Sequence, residues 1–378
     1  MRGGSRDREG RIEKGSPPRP RARRVLRWLL FTLLGLVLFA GALAALATLT
    51  AWVPAPVEPL APIAGSATFA AGVPTRLRLA TWNIGYAGLD QDTDFVVDGG
   101  HMSHPRSRAA VVENLAAMQS FLELRNDDVI FLQEVDRNAA RTWHIDEIAA
   151  WAARFRVHQL WYATNFRSPF VPYPPASPIG QVDSGMVTLT RIAALEGLRY
   201  QLPWTQPWPE RLFQLKRCAL LLRLPSPTPG KDWCLLNVHL SAFDDGSQRA
   251  KELAFIKNLI LALARGGHYV VVGGDWNSIL PGVAMDRFRP WTTAEKDLFW
   301  VRRVPEGWTP AGWVWAYDPR TPSVRTNEKP FREGENFRTI IDGFLLSPNV
   351  LLDEVESEYL GFAHSDHHPV MARVRVGP

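Results

Sequence analysis

Three regimes of apolar and polar patterning divide the 378-residue chain. Residues 28–53, WLLFTLLGLVLFAGALAALATLTAWV, run for 26 positions without a charge and without a polar face, unlike the striped pattern of a surface helix. At about 1.5 Å per residue such a run crosses a hydrocarbon core of roughly 30 Å, so the pattern predicts a transmembrane helix. Residues 54–75 break the apolar run with Pro54, Pro56, Pro59 and Pro62. Proline removes a backbone donor and fixes φ, which excludes a regular helix or central strand here and predicts a short stalk.

From residue 76 onward, short apolar runs alternate with stretches of helical period. RLRLATWNIG reads as a strand stopped by a Gly turn, residues 106–125 as a helix carrying Val111, Leu115, Met118 and Leu122, and DVIFLQEVD as a buried strand. A second helix is expected over residues 145–155. The polar and aromatic excursion WYATNFRSPFVPYPPASPIGQVDS follows, with prolines that argue against a regular interior element. GMVTLTR, residues 215–224 and WCLLNVHL are the next strands, residues 248–264 a third helix, and HYVVVGGDWNS, RTIIDGFLLS and PVMARVRV further strands. The divisions expected are 1–27, 28–53, 54–75 and a single large body, 76–378.

Charge bears on topology rather than on substrate. The net charge is +5, yet residues 1–27 alone carry +7 and residues 76–378 sum to −1. A basic flank before an apolar helix stays cytoplasmic, so the expectation is a single-pass protein of the cytoplasmic membrane with its body outside. A cleaved secretory signal is the rival, supported by the basic leader and the small residues around Ala44 to Ala47 but opposed by an apolar run longer than an ordinary h-region. Both readings place the body outside the cytoplasm, and nothing calls for an obligate protein partner. Cys218 and Cys234 are the two cysteines. Hairpin pairing of Leu224 with Trp233 would set Cys234 opposite Arg223, so the pair is read as two buried thiols rather than a disulfide.

Several polar residues sit at the ends of apolar strands, where loops gather side chains on one rim. They are Asn83 in TWNIG, Glu134 in LQEVD, His239 in NVHLSA, Asp275 and Asn277 in GDWNS, Asp342 in TIIDGF, and Asp366 with His367 in HSDHHP. Any one could cap a turn, but eight together read as a site. Hard oxygen donors without thiolates favour Mg²⁺, with Mn²⁺ as a substitute, over zinc. A Gly-rich phosphate loop and a GxSxG elbow are both missing from the sequence, which leaves ATP use and serine hydrolysis unsupported.

In ordered sequence, TWNIG, LQEVD, NVHL, GDWNS, IDGF and SDHHP resemble the endonuclease/exonuclease/phosphatase superfamily, whose fold is like deoxyribonuclease I. The resemblance runs from Leu77 to about Val376 and implies a four-layer α/β/β/α sandwich of two mainly antiparallel sheets flanked by helices. It gives Glu134 the main metal-ligand role, with Asn83 and Asp366 beside the metal. It also makes His367 and Asp342 a His/Asp pair that activates water or stabilises the phosphorane, with Asp275 handling a proton, Asn277 donating to a phosphoryl oxygen and His239 on the phosphate or leaving-group side. His364 and His368 are weaker candidates, Ser365 is expected to shape the loop, and residues 101–104, HMSH, read as a surface turn.

The implied activity is phosphodiester hydrolysis, with nucleic acid as the leading substrate and a phospholipid or small phosphorylated molecule as the alternative. A catalytically dead, membrane-tethered binding domain is opposed by the intact candidate set. Tyr162, Asn165 and Arg167, in a loop the family uses for specificity, are expected to touch substrate. Arg325 is expected to clamp a phosphate from SVRTNEKPFREGENFRT, although Glu328, Glu333 and Glu335 dilute that charge. The aromatics of residues 161–173 and 308–317 are open to three uses: base stacking, a lipid interface or packing between loops.

Overall fold

The computed structural model describes residues 20–66, 73–242 and 244–377, with side chains from residue 23 onward. The basic arm before residue 20 and residues 67–72 of the expected stalk lie outside the described residues. The chain separates into two compact units, residues 1–51 and 52–378. In the first, helix α1 (Pro20–Leu49) exposes its large apolar side chains on every side, including Leu29, Phe31, Leu36 and Phe39. Its apolar stretch, Arg23–Leu49, is long enough to cross a membrane.

The second unit is built on two sheets. In the seven-stranded sheet the order is β1 (Val57–Leu60), β6 (Glu196–Gln201), β7 (Cys218–Pro225), β8 (Asp232–His239), β9 (Tyr269–Asp275), β13 (Asp342–Leu346) and β10 (Val314–Ala316). In the six-stranded sheet it is β14 (Val350–Ser357), β15 (Val370–Val376), β2 (Arg76–Asn83), β3 (Val129–Asp136), β5 (Gly180–Thr190) and β4 (Gln159–Val171). A small ribbon pairs β11 (Val324–Arg325) with β12 (Arg338–Thr339). Pairing within the large sheets is antiparallel except for β2 with β3 and β8 with β9. Each of those parallel pairs needs a crossover, supplied by α2 (Arg108–Arg125) and α4 (Ser247–Arg265); α3 (Glu147–Arg154) packs beside α2.

Three cores lie between four layers. Leu79, Phe131 and Met186 of one sheet meet Leu220, Leu235, Val271 and Phe344 of the other. The opposite faces take the helices. Ala80, Trp82 and Ile130 pack on Val111, Met118 and Trp151, while Leu236 and Val272 pack on Leu253, Ile256 and Ile260. The side-chain period of two along β2, with Leu77 and Leu79 to one core and Ala80 and Trp82 to the other, sorts these faces. This is the α/β/β/α sandwich expected.

Two sequence expectations change. The Pro-rich excursion is largely a long hairpin, β4 and β5 paired from Gln159↔Thr190 to Val171↔Gly180 with bulges. Because β4 is the sheet's edge, Pro169 falls at the bulge between Ser168 and Val171 without removing a ladder bond that the sheet requires. The expected stalk likewise gives the edge strand β1, paired to β6 with Pro59 opposite Leu198. Its prolines bar a central position but not an edge. The hairpin register of β7 and β8 sets Arg223 opposite Cys234 and Leu224 opposite Trp233, and both cysteines are buried and unbonded. The aromatics settle as packing in part: Trp161, Tyr162, Phe166, Trp308 and Trp313 are buried, whereas Phe170 and Tyr173 are exposed.

One side chain ties the sheets together beneath the site. Asn237 on β8 is fully buried; its Oδ1 accepts from Gln133 Nε2 at 2.7 Å, and its Nδ2 donates to the carbonyls of Val187 at 3.0 Å and Leu132 at 3.3 Å. Asn237→Leu strands those groups in a dry interior. The expected cost is about 1–3 kcal/mol, read as a lower denaturation midpoint with an unchanged m-value; an unchanged midpoint would show that the cross-link carries no stability.

Candidate active site

Strand register brings most of the site together. His239 of β8 pairs with Asp275 of β9, which pairs with Asp342 of β13, so three neighbouring strands end in three polar side chains side by side. Close strand approach demands the two glycines before Asp275. A Cβ on Gly274, at φ 143, would lie 2.0 Å from the Val238 carbonyl oxygen, and one on Gly273 would lie 2.6 Å from the Phe344 ring. Past Asp275 the chain turns, with the Asn277 backbone N–H donating to Asp275 Oδ1 at 2.8 Å. This side-chain-mimicked turn is common for Asp.

From the other sheet come Asn83 and Glu134. The pairing of β3 with β5 shifts between Leu132 and Val135, and Glu134 within that bulge takes φ 55. A bulge re-aims a side chain, and here it delivers Glu134 to Asn83. Asn83 Nδ2 donates to Glu134 Oε1 at 3.2 Å and to Asp275 Oδ2 at 3.0 Å, spanning the two sheets. His239 Nε2 lies 3.3 Å from Asp275 Oδ2 and 3.7 Å from Glu134 Oε1.

The HSDHHP loop closes the set. Ser365 Oγ donates to the Asn83 carbonyl at 2.8 Å and accepts from the His367 backbone N–H at 3.2 Å, while Trp82 Nε1 holds the His367 carbonyl at 2.9 Å. His367 Nδ1 meets Asp342 Oδ2 at 2.8 Å, and the Ser323 hydroxyl donates to the same oxygen at 2.7 Å. His367 Nε2 then points toward Asp275 Oδ2, 3.9 Å away. Asp366 accepts from Asn327 Nδ2 at 2.6 Å. His364 faces Asn114 of α2 at 3.1 Å, and His368 stacks on Phe362 with its Nδ1 on the Pro322 carbonyl, so both serve the loop. His101 is an exposed neighbour of Asp94 at 3.4 Å.

Electrostatics separates the two imidazoles. Burial pushes His367 down, but Asp342, by charge and hydrogen bond, with Asp366 and Asp275 outweighs it and raises the ring to about 10. His239 is driven well below the usual histidine value by burial, then by Arg217 and His367. Asp275 rises to about 6 through burial and the nearby Asp342 charge, against the lowering pull of His367 and its hydrogen bonds. Glu134 is raised by burial and by Asp366. The pocket therefore pairs a protonated imidazole with a neutral one and holds a carboxyl poised between states.

Two groups of side chains have the composition of a cation site. Asp275, Asp342 and His367 offer ligand atoms within 4.8 Å of one another, but His367 and Asp342 are already committed to each other. Among the described residues Glu134 and Asp366 form the better set, two carboxylates at one pocket with Asn83, whose Oδ1 also accepts from the Gly85 N–H at 3.0 Å, and beside two further buried oxygens with no partner, Asp98 Oδ1 and Asn327 Oδ1. Unsatisfied oxygen acceptors and the lack of thiolates fit Mg²⁺ or Mn²⁺.

The expected substrate contacts fare differently. Tyr162 is buried on hairpin strand β4, its hydroxyl 3.5 Å from Asp183, and Asn165 is buried with its carbonyl accepting from the Lys216 backbone N–H. Arg167 pairs with Asp183 at 3.1 Å. Arg325 reaches the pocket wall, yet its Nη groups donate to the carbonyls of Asp90, Thr93, Thr326 and Lys329, which makes it a loop clamp. Arg217 and Asp98 line the pocket without having been singled out in sequence. Arg217 stands just before β7 in KRCALLL, where a strand-edge pattern was legible but side-chain direction was not, and Asp98 sits in a loop without periodicity.

Among solved structures, the endonuclease/exonuclease/phosphatase from Beutenbergia cavernae is 19% identical over 80% of this chain and 72% of its own, with a TM-score of 0.49. D. rerio TDP2 complexed with a single-strand DNA product is 16% identical over 80% and 100%, with a TM-score of 0.48. ANGEL2, a 2′,3′-cyclic phosphatase solved with adenosine-2′,3′-vanadate, is 16% identical over 80% and 96%, with a TM-score of 0.52, and shares the fold. No curated protein matches the sequence. Residues 80–367 match the sequence pattern of the Endonuclease/Exonuclease/phosphatase family. With that match spanning all eight rim residues, the chain belongs to the endonuclease/exonuclease/phosphatase family, enzymes that act on phosphate esters.

Proposed function

We propose that this protein is a divalent-cation-dependent phosphoesterase that hydrolyses phosphodiester bonds by in-line attack of water, with nucleic acid as its substrate class. The carrying observation is the pairing of a His367–Asp342 dyad with Asp275 on one side of the pocket and the Glu134, Asp366 and Asn83 oxygens on the other. Glu134, Asp366 and Asn83 would hold Mg²⁺ or Mn²⁺, which when bound supplies Lewis-acid polarisation of a phosphoryl oxygen.

The chain's own residues supply the rest. Protonated His367, oriented by Asp342, donates to a phosphoryl oxygen on which negative charge grows. Asp275, hydrogen-bonded by Asn83 and Asn277, takes the proton from attacking water. Neutral His239 stands beside Asp275 on the leaving-group side, and Arg217 adds positive charge at the same wall. The aromatics do not discriminate lipid from nucleic acid: five of them are buried in the core, while Phe170 and Tyr173 are exposed. Arg338 pairs with Glu333, and Lys329 with Glu335 at 3.1 Å, so neither tracks a phosphate chain from that loop.

We further infer that α1 crosses the cytoplasmic membrane with the basic arm inside and residues 52–378 outside. Protease added to sealed spheroplasts should remove the body and spare an N-terminal tag. Protection of the body until lysis would overturn this orientation.

Glu134→Gln should leave the fold intact and reduce Mg²⁺-supported turnover by several kcal/mol of barrier, about 10³-fold. The assay is a panel of DNA, RNA, sphingomyelin, phosphoinositides and sugar phosphates. Cleavage of lipid with none of nucleic acid would sink the substrate assignment, and full turnover by Glu134→Gln would sink the metal assignment.

Asp342→Asn removes the charge that keeps His367 protonated, so the ring should titrate far below 10, toward the ordinary value of about 6.5. Imidazole NMR reads this directly. The variant should lose activity as pH rises through that lower value, where the parent enzyme keeps it; an unshifted His367 titration would separate Asp342 from this role.

A further inference from the structure

The pocket contains two buried oxygens that the roles above leave unused. Asp98 ends the short turn Val96–Asp98, closed by Gly99 at φ 94, and is 8% exposed with Oδ1 unpartnered. Asn327 is 3% exposed; its Nδ2 fixes Asp366 Oδ2 at 2.6 Å, and its Oδ1 is left without a donor. Both residues line the same pocket as Asn83, Glu134 and Asp366.

Asn327 lends Asp98 a side-chain hydrogen bond, yet Asp98 Oδ1 and Asn327 Oδ1 are both left without a donor. A buried acceptor without a partner is costly, and a carboxylate more so than an amide. Arg325 is the neighbouring guanidinium, but its Nη groups are spent on carbonyls and its Nε hydrogen-bonds nothing.

We infer that Asp98 and Asn327 belong to the oxygen set that holds the divalent cation, together with Glu134 and Asp366. In this arrangement the Asn327 amide has two tasks, its N–H₂ orienting Asp366 and its oxygen facing the cation. Asp98, carried by the turn Val96–Asp98 rather than by a strand end, adds a carboxyl oxygen to those of Glu134 and Asp366 at the same pocket. The inference rests on the metal-dependent reading proposed above.

Mn²⁺ binding to the full chain in detergent, followed by electron paramagnetic resonance, tests it, with Tm measured in chelator and in Mn²⁺. Asp98→Asn and Asp98→Ser should each weaken Mn²⁺ about 10- to 100-fold. Both should keep or raise Tm in chelator, since a buried carboxyl crowded by Asp366 has gone, and both should gain less Tm from Mn²⁺ than the parent. If both bind Mn²⁺ with parental affinity while Glu134→Gln binds it weakly, this inference fails alone. A lowered Tm in chelator with unchanged Mn²⁺ affinity likewise overturns it, leaving Asp98 a structural role. Should the parent bind no Mn²⁺, the metal-dependent reading falls and this one with it.

Discussion

The lateral register of β8, β9 and β13 is the constraint on which the site depends. Side chains alternate across a sheet with period two, so a slip of one residue turns every one of them to the opposite face. His239, Asp275 and Asp342 share one rung of three strands, and a slip in any strand would remove its member from the pocket. Gly273 and Gly274 permit the close approach that this rung needs. Asn237, two residues before His239, locks β8 to β3 and β5 of the facing sheet. The same side chain thus fixes the distance between the two halves of the site, since β3 carries Glu134.

Gathering carboxylates at the end of a sandwich works against folding, because like charges in a dry pocket repel. The structure contains that repulsion by giving each acid its own donors. Asp342 has Ser323 and His367, Asp275 has Asn83 and the Asn277 backbone, and Asp366 has Asn327. What remains uncompensated lies toward the open pocket, where a cation or substrate can reach it. Stability and chemistry are therefore coupled at the same atoms: the donors that make the fold tolerable also hold each acid in the geometry the reaction requires.

How much of this was legible in sequence follows from what sequence encodes well. Strand-end residues such as Asn83, Asp275 and Asp342 were readable because an apolar run marks the strand and its end marks the rim. Glu134 was readable as a residue of LQEVD, but the bulge at φ 55 that aims it was not, since two-residue alternation assigns a side chain to a face and says nothing about an inserted residue. Arg325 read as a phosphate clamp from its charge, whereas its fork is consumed by four backbone carbonyls; loop carbonyls leave no trace in sequence. Asp98 and Arg217 went unnoticed because long-range packing alone carries them to the pocket. Pro59 and Pro169 barred only interior positions, and both fall on edge strands, which tolerate what a central strand cannot.

The two thiols of the β7–β8 region have a consequence for where such a chain can mature. Cys218 and Cys234 are buried and unbonded, and burial raises both, Cys234 to about 12. Thiolate, not thiol, attacks disulfides and oxidants, so neither cysteine enters exchange chemistry while the sandwich is closed. The fold owes nothing to an oxidant, and its integrity is indifferent to the redox poise of the compartment that receives it. Oxidative folding catalysts have no exposed thiol to act on in the closed body.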